Sequence, residues 1–331
     1  MAVEMMSEML ENVDFQEFGI SSQRYLESGT VMKEEEVEEI RKKDAVLFGA
    51  IGDPRVRPGI MERGVILNLR ATLDLFANVR PVRSFVTGRE LVVFRENTQE
   101  FYVGIGGDRS GIERPLGLYG CEGTIGVRLS VRGNMAFDIG IMSEAHLRRF
   151  FSRLSIYRGR KITVTDKANA VPNMYSLWRS VAAEVLQRDG FEFTFQYADS
   201  VAYDMARNPE KYEVIVAPNL YGDILSDLAA GLFHGLGFAP SANIGDRRPG
   251  LFEPVHGSAP DIAGKDIANP FATILAASML LEYNGHPGLS KAINDCVAEC
   301  YRSRILTPDA GGKMRSSEVF REFMKKLRGA V

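Results

Sequence analysis

The sequence predicts an α/β protein built around parallel strands, and three observations carry that reading. The runs Ala45-Val46-Leu47-Phe48-Gly49, Lys161 to Thr165 and Val214-Ile215-Val216-Ala217 are short and rich in apolar or β-branched residues. Segments with helical apolar spacing lie between them, among them Lys33 to Lys42, Ser143 to Tyr157 and Met174 to Leu186. Strands alternating with helices put the helices on the faces of a parallel sheet. No G-x-G-x-x-G follows any of these strands, so the ordinary dinucleotide fingerprint is absent.

Length and charge narrow the classes. A chain of 331 residues suffices for one large domain or two moderate ones, each with its own core. Forty basic against 43 acidic residues give a net charge of −3. That balance argues against a nucleic-acid or membrane surface working by bulk electrostatics. Cys121, Cys296 and Cys300 lack metal-ligand spacing. Cys296 and Cys300 share a helical face with Leu289 and Ile293, so both are expected as buried apolar residues. No apolar run reaches membrane-spanning length and no secretory signal pattern is visible. The expected location is cytoplasmic, with neither nucleic acid nor membrane as a partner.

In chain order, Met6, Met9 and Leu10 have helical spacing and Val13 to Phe18 reads as a strand. Lys33 to Lys42 is charged outside with Val37 and Ile40 inside, and it leads into the strand at Ala45. Gly64 to Pro81 is a helix running into an extended segment that carries Arg70 and Arg80, and Arg95 follows in Phe94-Arg95-Glu96-Asn97-Thr98. Residues 101–138 alternate in polarity, notably from Gly123 to Val131, and read as strands with an arm-like excursion. Ser143 to Tyr157 buries Leu147, Phe150, Phe151 and Leu154, while Met174 to Leu186 turns Trp178, Val181, Ala182 and Val185 inward. Helices near Phe271–Tyr283, Leu289–Arg302 and Ser317–Leu327 complete the chain, with Thr307 to Gly312 a loop by composition.

Chemistry concentrates where the strand Val214–Ala217 gives way to Asn219-Leu220-Tyr221-Gly222-Asp223-Ile224-Leu225-Ser226-Asp227-Leu228-Ala229-Ala230-Gly231. Asp223 and Asp227 project from one face of a helix, and Ile224, Leu225, Leu228 and Leu232 form the face expected to be buried. Two such carboxylates suit magnesium or manganese, which take oxygen ligands. A solvated pair, one acid stabilising a helix N-terminus, has the same pattern. A guanidinium fork is always charged and matches a carboxylate bidentately, so arginines are candidate anion-binding residues. Arg70, Arg80 and Arg95 are candidates, each with a solvated surface arginine as its alternative.

A second stretch, Leu251-Phe252-Glu253-Pro254-Val255-His256-Gly257-Ser258-Ala259-Pro260-Asp261-Ile262-Ala263-Gly264-Lys265-Asp266-Ile267-Ala268-Asn269-Pro270, adds a long literal motif. With the Asn219 segment it resembles the β-decarboxylating dehydrogenases, the family of isopropylmalate, isocitrate, homoisocitrate and tartrate or malate dehydrogenases. The resemblance runs from about Glu27 to the C-terminus, and its pattern is that of the isopropylmalate enzymes. It implies a two-domain isopropylmalate/isocitrate dehydrogenase-like α/β fold with non-Rossmann dinucleotide binding. Residues 1–76 and 234–331 would form a discontinuous cofactor domain, and residues 77–233 a domain for substrate, metal and dimerisation. It further implies a strand and a GDGIGPE-type turn ahead of Met1, and an active site shared between subunits of a homodimer or larger homo-oligomer.

The resemblance also distributes roles. Arg70, Arg80 and Arg95 would grip the malate moiety of a hydroxy-dicarboxylate. Lys167, in Asp166-Lys167-Ala168-Asn169, would reach the substrate hydroxyl from the partner subunit as base, and Asn169 would meet the nicotinamide. Asp199 would join Asp223 and Asp227 as the third carboxylate around Mg2+ or Mn2+, donated across the dimer. Glu253, His256, Gly257, Ser258, Ala259, Asp261, Ile262 and Asn269 would line the cofactor site. NADP-dependent relatives carry Lys-Tyr where this chain has Asp261-Ile262. A carboxylate there accepts from ribose hydroxyls and repels a 2′-phosphate, so NAD is expected.

Ile66 and Leu67 match the paired leucines that receive an isopropyl group, and Gly64 and Ile66 stand where isocitrate enzymes place Ser and Asn. Burying an isopropyl group contributes roughly 1.5–3 kcal/mol. The expectation is therefore NAD-dependent oxidative decarboxylation of 3-isopropylmalate, in leucine biosynthesis. Arg63 would instead suit the distal carboxylate of homoisocitrate; isocitrate, tartrate or D-malate, and a non-catalytic regulatory subunit, are the other readings. The family's enol-protonating tyrosine is expected just before the Ser143 helix, where this chain has Ile139, Ile141 and Met142, leaving Tyr102 and Tyr119 as candidates.

Overall fold

The structure, a computed structural model, describes residues 1–108, 111–130 and 132–331. It comprises two compact units, a terminal one of Met1–Glu90 with Asp227–Val331 and an internal one of Leu91–Ser226. The sequence reading put the cuts at 76 and 234; the structure assigns strand Ala77–Arg83 and the helix from Asp227 onward to the terminal unit.

In the internal unit, strands Glu90–Glu96, Val214–Ala217, Ile162–Asp166 and Phe193–Tyr197 lie side by side and are all parallel. Val216 pairs with Phe94 on one side and Val164 on the other, and every residue of its strand is buried. Helix Pro172–Arg188 makes the crossover between Ile162–Asp166 and Phe193–Tyr197 that parallel pairing requires. Its inward face carries Trp178, fully buried with ring centroids 5.6 Å from Phe150 and 4.7 Å from Phe151. Those two rings come from helix Glu144–Ser152, whose start is capped by the Ser143 hydroxyl accepting from His146 N. Glu100–Asp108 pairs antiparallel with Ala136–Ile141, and Ile112–Leu118 with Cys121–Val127, the second pair being the expected excursion. The alternation traced from Gly123 is strand only to Val127, and Val131 lies outside the described residues.

In the terminal unit the strand order is Ala45–Leu47, Gly250–Pro254, Pro240–Ile244, Ala77–Arg83. Only the first pair is parallel. The other two pairings are antiparallel, with Asn243 opposite both Leu251 and Asn78. Helices Phe271–Tyr283, Pro287–Arg302 and Ser316–Arg328 pack through Phe271, Ile293, Val297, Phe323 and Leu327, joined by Met5 and Met6 of the first helix. Cys296 and Cys300 lie in this core as free thiols, and burial pushes Cys300 up to about 12, so it stays protonated.

Two expectations fail. Val13–Phe18 forms no strand, and Val13 and Phe15 are exposed. Its apolar alternation finds no partner strand to pair with, and a lone alternating segment has no ladder to hold it. Ile224 was expected in the buried face of helix Asn219–Phe233 but is 58% exposed. Leu225 is buried as expected, but the rest of the buried face is made by Asn219, Gly222, Ser226, Ala229 and Ala230, which add little to an apolar count.

Candidate active site

In the internal unit the site is organised on Arg95, at the end of strand Glu90–Glu96 and only 1% exposed. Its Nε donates to the carbonyl oxygen of Asn219 at 2.8 Å and to Asn219 Oδ1 at 3.0 Å, and its Nη1 donates to Asp223 Oδ1 at 2.5 Å. A glycine is required beneath it: a Cβ on Gly222 would lie 2.6 Å from Arg95 Cγ and 2.8 Å from its Cβ. Those stem atoms cannot swing aside. Gly222→Ala is therefore expected to displace the guanidinium and raise the substrate KM about tenfold, since small misplacements of binding groups are felt strongly. Steady-state kinetics check this, and an unchanged KM would show that the stem is free to move.

Tyr102, on strand Glu100–Asp108, donates to the other oxygen of Asp223, Oδ2, at 3.1 Å, and Arg95 Cζ lies 5.2 Å from its ring centroid. Tyr119 is half-exposed on the arm, under Arg149 at 3.7 Å. Of the two tyrosine candidates, the structure brings Tyr102 to the carboxylate and leaves Tyr119 with Arg149.

Glu100 fixes this corner. Fully buried and at a left-handed φ of +64°, it accepts from Leu220 N at 2.5 Å, in the first turn of the Asp223 helix, and from the Tyr175 hydroxyl. Burial pushes its carboxyl up to about 7, against the lowering effect of both hydrogen bonds.

Lys167 follows strand Ile162–Asp166 in a turn whose buried Asp166 accepts from Ala168 N at 2.8 Å and Arg179 Nε at 2.7 Å. Lys167 Nζ lies 2.7 Å from Asp199 Oδ1, and that hydrogen bond holds the exposed Asp199 carboxyl below the usual range. The expected base and the expected third metal ligand are thus brought together, and Asn169 is exposed on the same turn.

In the terminal unit, Glu62–Leu67 is a π-helical turn continued by the α-helix Asn68–Thr72. Val65 and Leu69 face the core, Ile66 and Leu67 are half-buried, and Arg63 is exposed. Arg70 is buried with Nη2 donating to Glu253 Oε1 at 3.2 Å, and Arg80 is buried with Nη1 donating to Asp227 Oδ1 at 3.2 Å. The motif after Glu253 is an open loop: His256 and Ile262 are partly covered, and Gly257, Ser258, Ala259 and Asp261 are exposed. Ala259 holds a left-handed φ of +44°, a conformation that costs a non-glycine residue energy and that clusters at functional sites. Asn269 Oδ1 accepts from Phe271 N at 3.0 Å, and its Nδ2 donates to Asp309 at 3.1 Å.

Asp223 and Asp227 are 38% and 53% exposed, one helical turn apart, and offer only oxygen, which fits a hard cation. Among the described residues no three His, Cys, Asp or Glu side chains gather within one chain to complete such a set.

Residues 2–326 match the sequence pattern described as isocitrate/isopropylmalate dehydrogenase. The chain is 36% identical over 326 residues to a homoisocitrate dehydrogenase of Methanocaldococcus jannaschii, covering 91% of this chain and 87% of that protein. It is 34% identical over 334 residues to a 3-isopropylmalate dehydrogenase of Bifidobacterium longum, covering 94% and 91%. Its fold is similar to the crystal structure of isocitrate dehydrogenase from Methylococcus capsulatus, with a TM-score of 0.84, 30% identity, and coverage of 99% and 94%.

Proposed function

Because the chain belongs to the isocitrate/isopropylmalate dehydrogenase family, we propose that it oxidatively decarboxylates a 3-substituted malate with NAD, and that the substrate is 3-isopropylmalate. The observation carrying the substrate choice is the half-buried apolar pair Ile66 and Leu67, one helical turn before Arg70.

In this reading Arg70, Arg80 and Arg95 bind the two malate carboxylates, each guanidinium already buried and held in place. Magnesium or manganese, held by Asp223, Asp227 and the partner subunit's Asp199, would supply Lewis-acid polarisation of the C2 oxygen. The partner subunit's Lys167 would accept the proton of the C2 hydroxyl, and NAD, met at its nicotinamide by Asn169, would supply the hydride acceptor when bound. The C3 carboxylate then departs as carbon dioxide, and the Tyr102 hydroxyl returns a proton to C3. Asp261 accepts from the adenosine ribose hydroxyls and excludes a 2′-phosphate. The enzyme would work as a homodimer or larger homo-oligomer.

Homoisocitrate is the second reading, supported by the exposed Arg63 on the same turn and by the name of one relative. NADH formation with NAD and magnesium on 3-isopropylmalate, homoisocitrate, isocitrate and D-malate decides between them. The highest kcat/KM is expected on 3-isopropylmalate. A maximum on homoisocitrate would transfer the assignment to Arg63, and silence on all four would overturn the proposal in favour of a regulatory subunit.

A further inference from the structure

Two buried amides that the sequence reading passed over join residues of the candidate site. Arg80 Nη1 donates to Asp227, and its Nε donates to Asn78 Oδ1 at 2.8 Å. Asn78 Nδ2 donates to Asn243 Oδ1 at 2.9 Å and to Ser241 Oγ at 2.7 Å. Asn243 Nδ2 donates to Glu253 Oε1 at 2.9 Å, the same oxygen that accepts from Arg70. Asn78 and Asn243 are fully buried and directly opposite on neighbouring strands, with Glu253 on the next strand.

The direction of this line is fixed by chemistry. A guanidinium has no acceptor, so Asn78 must turn its oxygen to Arg80 and its amine to Asn243. Asn243 then offers its amine to a carboxylate, which can only accept. Three adjacent strands set the spacing, and neither amide can flip without placing two donors or two acceptors face to face.

Resting on the function proposed above, we propose that Asn78 and Asn243 are positioning residues that hold Arg80 and Arg70 in one register, through Glu253, as a preset pair for a dicarboxylate. A preset pair loses less freedom when it binds. The amides touch no substrate; their effect is on the grip.

The test uses Asn78→Leu, Asn243→Leu and the double variant, with the best substrate of the four-acid panel. Each single variant is expected to raise the substrate KM roughly tenfold while kcat changes less than about threefold, and the double variant to go no further than the worse single one, since either break opens the same line. Calorimetric binding of malonate, which needs no turnover, is expected to weaken by about the same factor. Folded variants with unchanged KM and malonate affinity, or a double variant whose loss is the product of the two, would overturn the assignment. A merely structural role would lower the fraction of active enzyme without splitting KM from kcat. Where Asn78→Leu does not fold, Asn78→Ser keeps a polar group too short to bridge and carries the same expectation. If the wild-type protein turns over none of the acids, the proposed function fails, and the malonate arm still decides the role of the amides.

Discussion

Asp223→Asn lowers kcat by a factor on the order of 10³ while the protein stays folded; this is the largest catalytic effect expected. The carboxylate has two tasks that the amide separates. Its Oδ1 accepts from Arg95 and its Oδ2 from Tyr102. An asparagine can keep its oxygen toward Arg95 and turn its amine to the Tyr102 oxygen, which can accept, so the local hydrogen bonds have a substitute. The cost to stability is then about 1–2 kcal/mol, from weakening the charge opposite a buried guanidinium. In the proposed function, what no amide replaces is the anionic oxygen that Asp223 would offer, with Asp227, to a divalent cation. Turnover titrated with magnesium or manganese, alongside thermal melting, makes the comparison. A variant that melts normally and keeps its metal-dependent turnover would remove Asp223 from the ion site.

Trp178→Ala is the corresponding test of the internal unit's core. Trp178 is fully buried between Phe150 and Phe151, and Phe94 lies 4.9 Å from Phe150 on the neighbouring strand. Truncating an aromatic side chain in such a cluster costs about 3–5 kcal/mol, because rings on helix and sheet cannot collapse into the void. For a unit of this size that lowers its melting temperature by roughly 10 °C. Differential scanning calorimetry is the suitable measurement, because the terminal unit has a separate core around Phe271 and Phe323 and need not melt with the internal one. A shift under about 3 °C would mean that helix Pro172–Arg188 is not held by this ring. Trp178→Phe should cost much less, since Trp178 Nε1 has no hydrogen-bond partner among the described residues.

How far the sequence reads depends on how far apart the partners are. The parallel strands of the internal unit and the helix carrying Asp223 and Asp227 are visible as short apolar runs and periodic spacing, because each is a property of neighbours along the chain. The fold class and family followed from long literal motifs. Three features did not follow. Val13–Phe18 has the alternation of a strand, but alternation says nothing about whether a paired edge exists. The buried side of the Asp223 helix is set by Ala229 and Ala230, which permit close packing without adding apolar bulk, and so Ile224 was turned the wrong way. The meeting of Tyr102 with Asp223, and of Asn78 with Asn243, joins residues more than a hundred positions apart. Only folding brings such pairs together, and no local period marks them.

The turn Glu62–Leu67 has a consequence for how such a chain diversifies. Val65 and Leu69 anchor it in the core, Arg70 is buried behind it, and Arg63, Ile66 and Leu67 project outward or lie half-covered. Substitutions at exposed positions away from special contacts usually cost within about 0.5 kcal/mol. In the proposed reading, a change at exposed Arg63 can alter which side group of a hydroxy acid is accepted at little cost in stability, whereas Ile66 packs against the core and a change there costs more. The relatives that this chain matches along most of its length carry the names of different acids, homoisocitrate and 3-isopropylmalate, and under the proposed function this turn is where such a difference can arise.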